Sequence, residues 1–247
     1  MKFDVIVVLV FLHFGFCCAR LAPILTACSR TDPEYEKCVK QAVERIRSNI
    51  AVGNYGEGQP SAPPLEPIYI DQMKIDHGAS FQAVLSNVTI KGAGDFSIRR
   101  VRLALDEKMM YVSVDLPSML VKGQYTLDMK LVLLKVTGQG DFELQLNNTI
   151  ANMRLKYHLV ADENGQDRVV MYPIPVKLRF NQGQFKLQNL FNGDPVLGEI
   201  GNNVINENPL VLLDEVKPAF EENLGRIFSE MADSAVSGAT ELEIFPL

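Results

Sequence analysis

The feature that most constrains this chain is a change of period. From about Ile68 to Leu187 apolar residues alternate with polar ones, and beyond Asp194 they recur at helical spacing. Alternation marks half-buried strands, and it runs through Val84–Ile90, Arg99–Leu105, Met109–Leu116, Gln124–Lys135, Asp141–Leu146, Met153–Ala161 and Pro175–Phe180. Asn164-Gly165 reads as a tight hairpin turn between two of these runs. About seven strands with hairpin-length gaps predict a long antiparallel meander, because parallel pairing would need intervening helices. Downstream, Asp194-Pro195 and Asn208-Pro209 each place a capping residue before proline, which predicts helices over 195–207 and 209–237. The second carries a stripe of Leu210, Leu213, Val216, Phe220, Leu224, Ile227, Phe228 and Met231, with Pro218 expected to bend or break it.

The alternation also says which side faces in. With Asp128 and Lys130 outward, Tyr125, Leu127, Met129, Leu131 and Leu133 turn inward; with Glu143 and Gln145 outward, Phe142 and Leu144 turn inward. The same phase puts Val88 and Ile90, then Met110, Val112 and Val114, on the inner face. Met153 and Leu155 join them, as do Val176, Leu178 and Phe180. From the helix, Leu213, Phe220, Leu224 and Phe228 meet that face. The expected fold is therefore α+β: a long C-terminal helix wrapped by a highly curved antiparallel sheet. A space left between them would be elongated and apolar, suited to a lipid-like molecule, and these residues are its candidate lining. Methionine adapts to irregular apolar guests, and Tyr125 is placed to offer a hydroxyl to an ester, epoxide or keto group. Any single Leu or Met on this face is equally at home as plain core.

The beginning of the sequence has a secretory layout. Lys2 precedes an apolar run from Val5 to Phe16, and small residues lead to a cut after Ala19. The run is too short for the roughly 20 residues that span a bilayer, so cleavage is the expectation, with a retained anchor as the alternative. Residues 1–19 are then a signal peptide and 20–247 a single domain. Cys17 and Cys18 leave with the signal, and Cys28 and Cys38 remain, most simply as a disulfide. A zinc site or redox pair would need further ligands or a CxxC spacing. Asp32-Pro33-Glu34 reads as a helix start, and a stripe through Cys38, Ala42, Ile46 and Ile50 ends before Gly53. Gly53 to Pro67 is a Gly/Pro-rich connector. The sequons Asn87-Val-Thr89 and Asn147-Asn-Thr149 fit a secreted glycoprotein, and the phase argument places both asparagines outside.

Several chemistries lack their residues. A formal charge of −6, no Trp and no basic cluster argue against nucleic acid or an anionic membrane surface as partner. There is no nucleophile elbow, P-loop or HExxH motif, so neither an enzyme nor a metal or cofactor site is expected. His77 and His158 lie far apart and read as structural. Gly92–Ser97 and Asp162–Arg168 read as turns, although they superficially suggest a dinucleotide loop and a calcium loop. Glu221 and Glu222 are expected on the solvated side of the last helix. In Asn189–Asp194, Leu190 and Phe191 are expected to plug the core while Asn192-Gly193 turns the chain into the Asp194 cap, with a place in a partner or ligand site as the alternative.

Four stretches carry a family resemblance: "CSRTDPEYEKC", "LEPIYI", "FKLQNLFNGDPVLGEIGNNVINENP" and the ending "ELEIFPL". In order and content they resemble the insect takeout and juvenile-hormone-binding protein family. The resemblance implies a secreted lipid carrier related to lipid-transfer and bactericidal/permeability-increasing modules, with a helix wrapped by a curved sheet around a hydrophobic tunnel. It also implies a bridge between the first two mature cysteines, Cys28 and Cys38. Further cysteines of the haemolymph hormone carriers are missing, so the chain is closer to the takeout branch. The expected partner is a small elongated hydrophobic molecule such as a terpenoid or fatty acid, without stable membrane insertion. Links to circadian output, feeding or hormone signalling, and an extracellular receptor, are implied by the family alone. The competing reading is an extracellular interaction protein with a filled core that acts through its surface.

Overall fold

The computed structural model describes residues 24–247 except 58, 59, 132, 133 and 237, with no side-chain description at 131 and 134. The signal-peptide reading of 1–19 lies outside these residues, as do the side chains of Leu131 and Leu133.

Eight strands form one antiparallel sheet: β1 (Ile68–Asp76), β2 (Phe81–Lys91), β3 (Ser97–Ala104), β4 (Met109–Leu131), β5 (Leu134–Ala161), β6 (Asp167–Met171), β7 (Val176–Arg179) and β8 (Gln182–Leu187). The order is β1-β2-β4-β5-β6, with β3 added on β4 and both β7 and β8 on β5. This is not a simple meander. The runs Met109–Leu116 and Gln124–Lys135 prove to be two parts of one 23-residue strand, the second crossing the hairpin into β5. Likewise Asp141–Leu146 and Met153–Ala161 belong to a single 28-residue strand. Shorter strands then pair with successive stretches of these two, β3 and β2 along β4, and β8, β7 and β6 along β5. Strands attached in series along a twisted hairpin curl it into a trough.

The long strands looked interrupted in sequence because their alternation changes phase midway. On β4 the inward positions are Val114 and Leu116, then Met119 and Val121; on β5 they are Leu144 and Leu146, then Thr149 and Ala151. Leu116 pairs with Thr149 and Ser118 with Asn147, so both strands shift together at Pro117 and Asn148 and register is kept. Asn148 takes a left-handed φ of 54°, which asparagine tolerates better than most residues. A separate bulge in β2, with Asn87 at φ 52°, changes the phase of that strand.

Helices cover the concave face. α1 (Tyr35–Arg45) and α2 (Arg47–Val52) replace the single N-terminal helix expected, because the chain breaks at buried Ile46 (φ −105°, ψ 9°). Gly53, at φ 71°, ends α2 as foreseen. The Asp32 carboxylate accepts from Glu34 N–H at 2.7 Å, capping a turn just ahead of α1. α3 (Pro195–Glu207) is capped by Asp194, which accepts from Val196 and Leu197 N–H at 3.0 and 2.9 Å. α4 (Pro209–Val236) runs about 42 Å through the sheet's trough at helical rise. It continues past Pro218, which is exposed, so of the bend or break expected there the break is absent. Its buried stripe begins at Leu212 and Leu213 and not at Leu210, which is 45% exposed. A last short helix, α5 (Glu241–Ile244), opens with a capping box between Thr240 and Glu243.

Two apolar clusters result. The main one lies between the trough and α4; the smaller gathers Tyr157, Val169 and Phe245 with Tyr35 and Ile244. At that smaller cluster both ends of the described chain meet: Arg30 N–H donates to the Pro246 carbonyl at 2.8 Å, and Cys28 is bonded to Cys38 on α1 with Cα atoms 6.0 Å apart. The expected bridge is present and fixes the N-terminal segment to the helix.

Candidate ligand cavity

Leu212, Val216, Phe220, Leu224 and Phe228 follow one another at four-residue spacing, so α4 presents them as a single ridge to the trough. Their lower flank and the inward residues of the sheet do not close completely. A cavity of about 160 Å³ lies beside the C-terminal half of the ridge, walled by Phe220, Leu224, Phe228 and Met231 from α4. The sheet supplies Ile68, Ile90, Val114, Leu116, Met119, Val121, Leu146, Ala151, Met153, Leu178 and the adjoining Phe180, while Ile50, Leu65, Ala93 and Phe96 complete the wall. Every one of these side chains is apolar. A second cavity, about 30 Å³, sits beside Leu212, Val216 and Phe220, against Tyr125, Leu127, Phe142, Leu144, Phe185 and Leu187. Apolar space between helix and sheet is thus present, divided into two compartments.

Of the residues expected to line it, Ile90, Val114, Met153, Leu178, Phe180, Leu224 and Phe228 face the larger cavity, and Tyr125, Leu127, Phe142 and Leu144 face the smaller. Phe220 faces both. Others are placed differently. Val88, Val176 and Leu213 are buried in the solid core without reaching either cavity, and Val112 packs on its edge. Met129 lines a separate surface pocket at the junction of α3 and α4. Met110 and Leu155 oppose each other across β4 and β5, half-buried and away from both cavities. Residues missed in sequence include Met119, Val121 and Ala151, which lie in or beyond the phase change, and Ile50, which α2 brings in from far upstream.

Near the inner face the Thr149 hydroxyl is fully buried without a hydrogen-bond partner, whereas Tyr125, Glu221 and His77, singled out in the sequence, are engaged. The Tyr125 hydroxyl, read above as free for a ligand, donates to the Gln188 carbonyl at 2.6 Å, and burial pushes its phenol up to about 12. Glu221 is not solvated like Glu222. Its side chain is 11% exposed, accepts from Leu178 N–H at 2.9 Å and pairs with Lys177 at 2.6 Å, fastening α4 to β7. His77 pairs with Glu215 at 2.5 Å, and the His158 ring lies tilted against Tyr172 with centroids 4.6 Å apart, its Nδ1 buried without a partner. Leu190 is buried and Phe191 half-buried behind the cavities; Gly138 and Gly140 let that segment approach, since a Cβ on Gly140 would meet the Gln188 carbonyl oxygen at 2.6 Å. Asn87 is exposed and Asn147 half-exposed on the outer face, while Thr149 is fully buried. Among the described residues no group of three or more His, Cys, Asp or Glu could hold a metal ion, and no helix is long and apolar enough to cross a membrane.

Known proteins share this arrangement. The chain is 23% identical over 180 residues to the circadian clock-controlled protein daywake of Drosophila melanogaster, and 22% identical to daywake of Drosophila yakuba; each alignment covers 69% of both chains. The crystal structure of Epiphyas postvittana Takeout 1 superposes with a TM-score of 0.76 at 25% identity, covering 90% of this chain and 99% of that one. The model of the haemolymph juvenile hormone binding protein family matches residues 5–246, essentially the whole sequence, and the chain belongs to that family.

Proposed function

We propose that the protein is a secreted, non-enzymatic carrier that holds a small elongated hydrophobic ligand, a terpenoid, fatty acid or similar lipid, between α4 and the concave sheet. The observation that carries this reading is the cavity of about 160 Å³ walled only by apolar side chains. An engineered cavity of about 150 Å³ with similar walls stays dry and admits benzene, so this one suits a short hydrocarbon segment at rest. Each methylene withdrawn from water there contributes about 0.8 kcal/mol, and useful affinity needs no charge pair. The Cys28–Cys38 bridge supports an oxidising, extracellular setting, with residues 1–19 removed as a signal and glycans carried by Asn87 and Asn147. The family's hormone-binding description supports an apolar ligand, and the name of the daywake relatives supports a place in circadian output.

The test is uptake of cis-parinaric acid by delipidated protein, beside Ala151→Leu, which places three more carbons in the larger cavity. Saturable binding by the wild type, lost in a folded Ala151→Leu variant, is the expected result. Absence of saturable binding by any apolar probe would overturn the reading.

A further inference from the structure

The two cavities lie end to end along α4. The smaller touches the helix at Leu212, Val216 and Phe220, the larger at Phe220, Leu224, Phe228 and Met231, a span of about 28 Å at helical rise. Phe220 is the one residue common to both walls. The smaller cavity in turn shares Phe81 and Leu212 with the surface pocket of about 460 Å³ at the junction of α3 and α4. Three spaces therefore follow one another from that junction to the far end of the trough, the two inner ones apolar and the surface one also lined by Lys130, Glu207 and Glu215; Phe81 and Leu212 stand between the first pair and Phe220 between the second.

From this we propose that Phe220 is a movable partition that sets how long a chain the larger cavity accepts, longer ligands gaining room by turning it aside and extending toward Leu212. The inference rests on the carrier reading above. Most buried aromatic rings are held by neighbours on every side, whereas Phe220 has empty space on both flanks along the ridge. The backbone beneath it is also softened. Pro218, two residues earlier, has no N–H to offer the Asp214 carbonyl one turn back, so this stretch of α4 lacks a helical hydrogen bond. Turning the ring joins two spaces whose walls are both apolar, so a hydrocarbon chain crossing the partition leaves no polar group stranded.

The experiment compares wild type, Phe220→Ala and Phe220→Leu for displacement of cis-parinaric acid by straight-chain alcohols from hexanol to hexadecanol. Wild-type affinity is expected to rise about fourfold per methylene and then flatten once the larger cavity is full. In Phe220→Ala the rise continues, and the longest alcohols bind roughly tenfold or more tightly than to wild type. Phe220→Leu, which keeps more of the packing, gives an intermediate profile and serves if the alanine variant does not fold. Superimposable profiles in folded wild type and variant would overturn the partition while leaving the carrier reading intact. No displacement by any alcohol from any of the three proteins would overturn both.

Discussion

Two asparagines on α3 hold the free edge of β8, and removing one of them should be costly. Asn206 accepts from Phe185 N–H and donates to the Phe185 carbonyl, both at 2.7 Å; Asn202 does the same to Leu187 at 2.8 and 2.9 Å. The match is geometric. Four residues along a helix rise about 6 Å and two along a strand about 6.7 Å, so side chains at i and i+4 meet alternate strand residues. Each amide thus stands in for a neighbouring strand. In Asn206→Ala both Phe185 backbone groups lose their partners in a half-buried site, at about 1–3 kcal/mol each, so a loss of about 2–6 kcal/mol is expected. Asn206→Asp should be no better, since it keeps an acceptor for the N–H but turns a second oxygen toward the carbonyl. With no Trp in the chain, urea unfolding followed by far-ultraviolet circular dichroism is the assay. A midpoint shift equivalent to less than about 0.5 kcal/mol for Asn206→Ala would refute the strand-mimic account.

Replacing Cys28 and Cys38 together by serine should cost about 2–3 kcal/mol through the released loop, seen as a lowered Tm that added reductant no longer changes. Glu221→Ala should lose about 1–3 kcal/mol because Leu178 N–H is left without an acceptor. Lys177→Met, at a side chain 75% exposed, should change urea stability by less than about 0.5 kcal/mol. Burial pushes the phenols of Tyr35, Tyr55 and Tyr125 from 10.0 up to about 12, so above pH 10 the unfolded chain sheds protons that the native one keeps. Stability should then be unaffected by these groups below pH 10 and fall progressively between pH 10 and 12; urea midpoints across that window would show no decline if the burial were misread.

The parts of the fold legible in sequence were those fixed by neighbours a few residues away. Asp194-Pro195 and Asn208-Pro209 mark the starts of α3 and α4 because capping is local, and alternation around Asp128 and Glu143 finds the inner face because each residue's side follows from the next. The phase change at Pro117 and Asn148 was hidden, since nothing local announces that both strands shift together, and it concealed Met119 and Ala151 as wall residues. Glu221 and Tyr125 were misjudged because their partners, Leu178 and Gln188, lie 43 and 63 residues away. That Phe220 separates two spaces depends on how the whole trough closes.

The joint shift at Pro117 and Asn148 bears on how such a tube can change in length. Val114, Leu116, Met119 and Val121 would form an uninterrupted inward row if one residue between Leu116 and Met119 were absent, and the same holds on the facing strand between Leu146 and Thr149. Excising Pro117 together with Asn148 would straighten the hairpin and shorten the bore by one rung, with every oily side chain still facing home. Cutting either alone would leave its neighbour strand a residue too long, so the container can be trimmed at this point only by a coupled step on opposite strands.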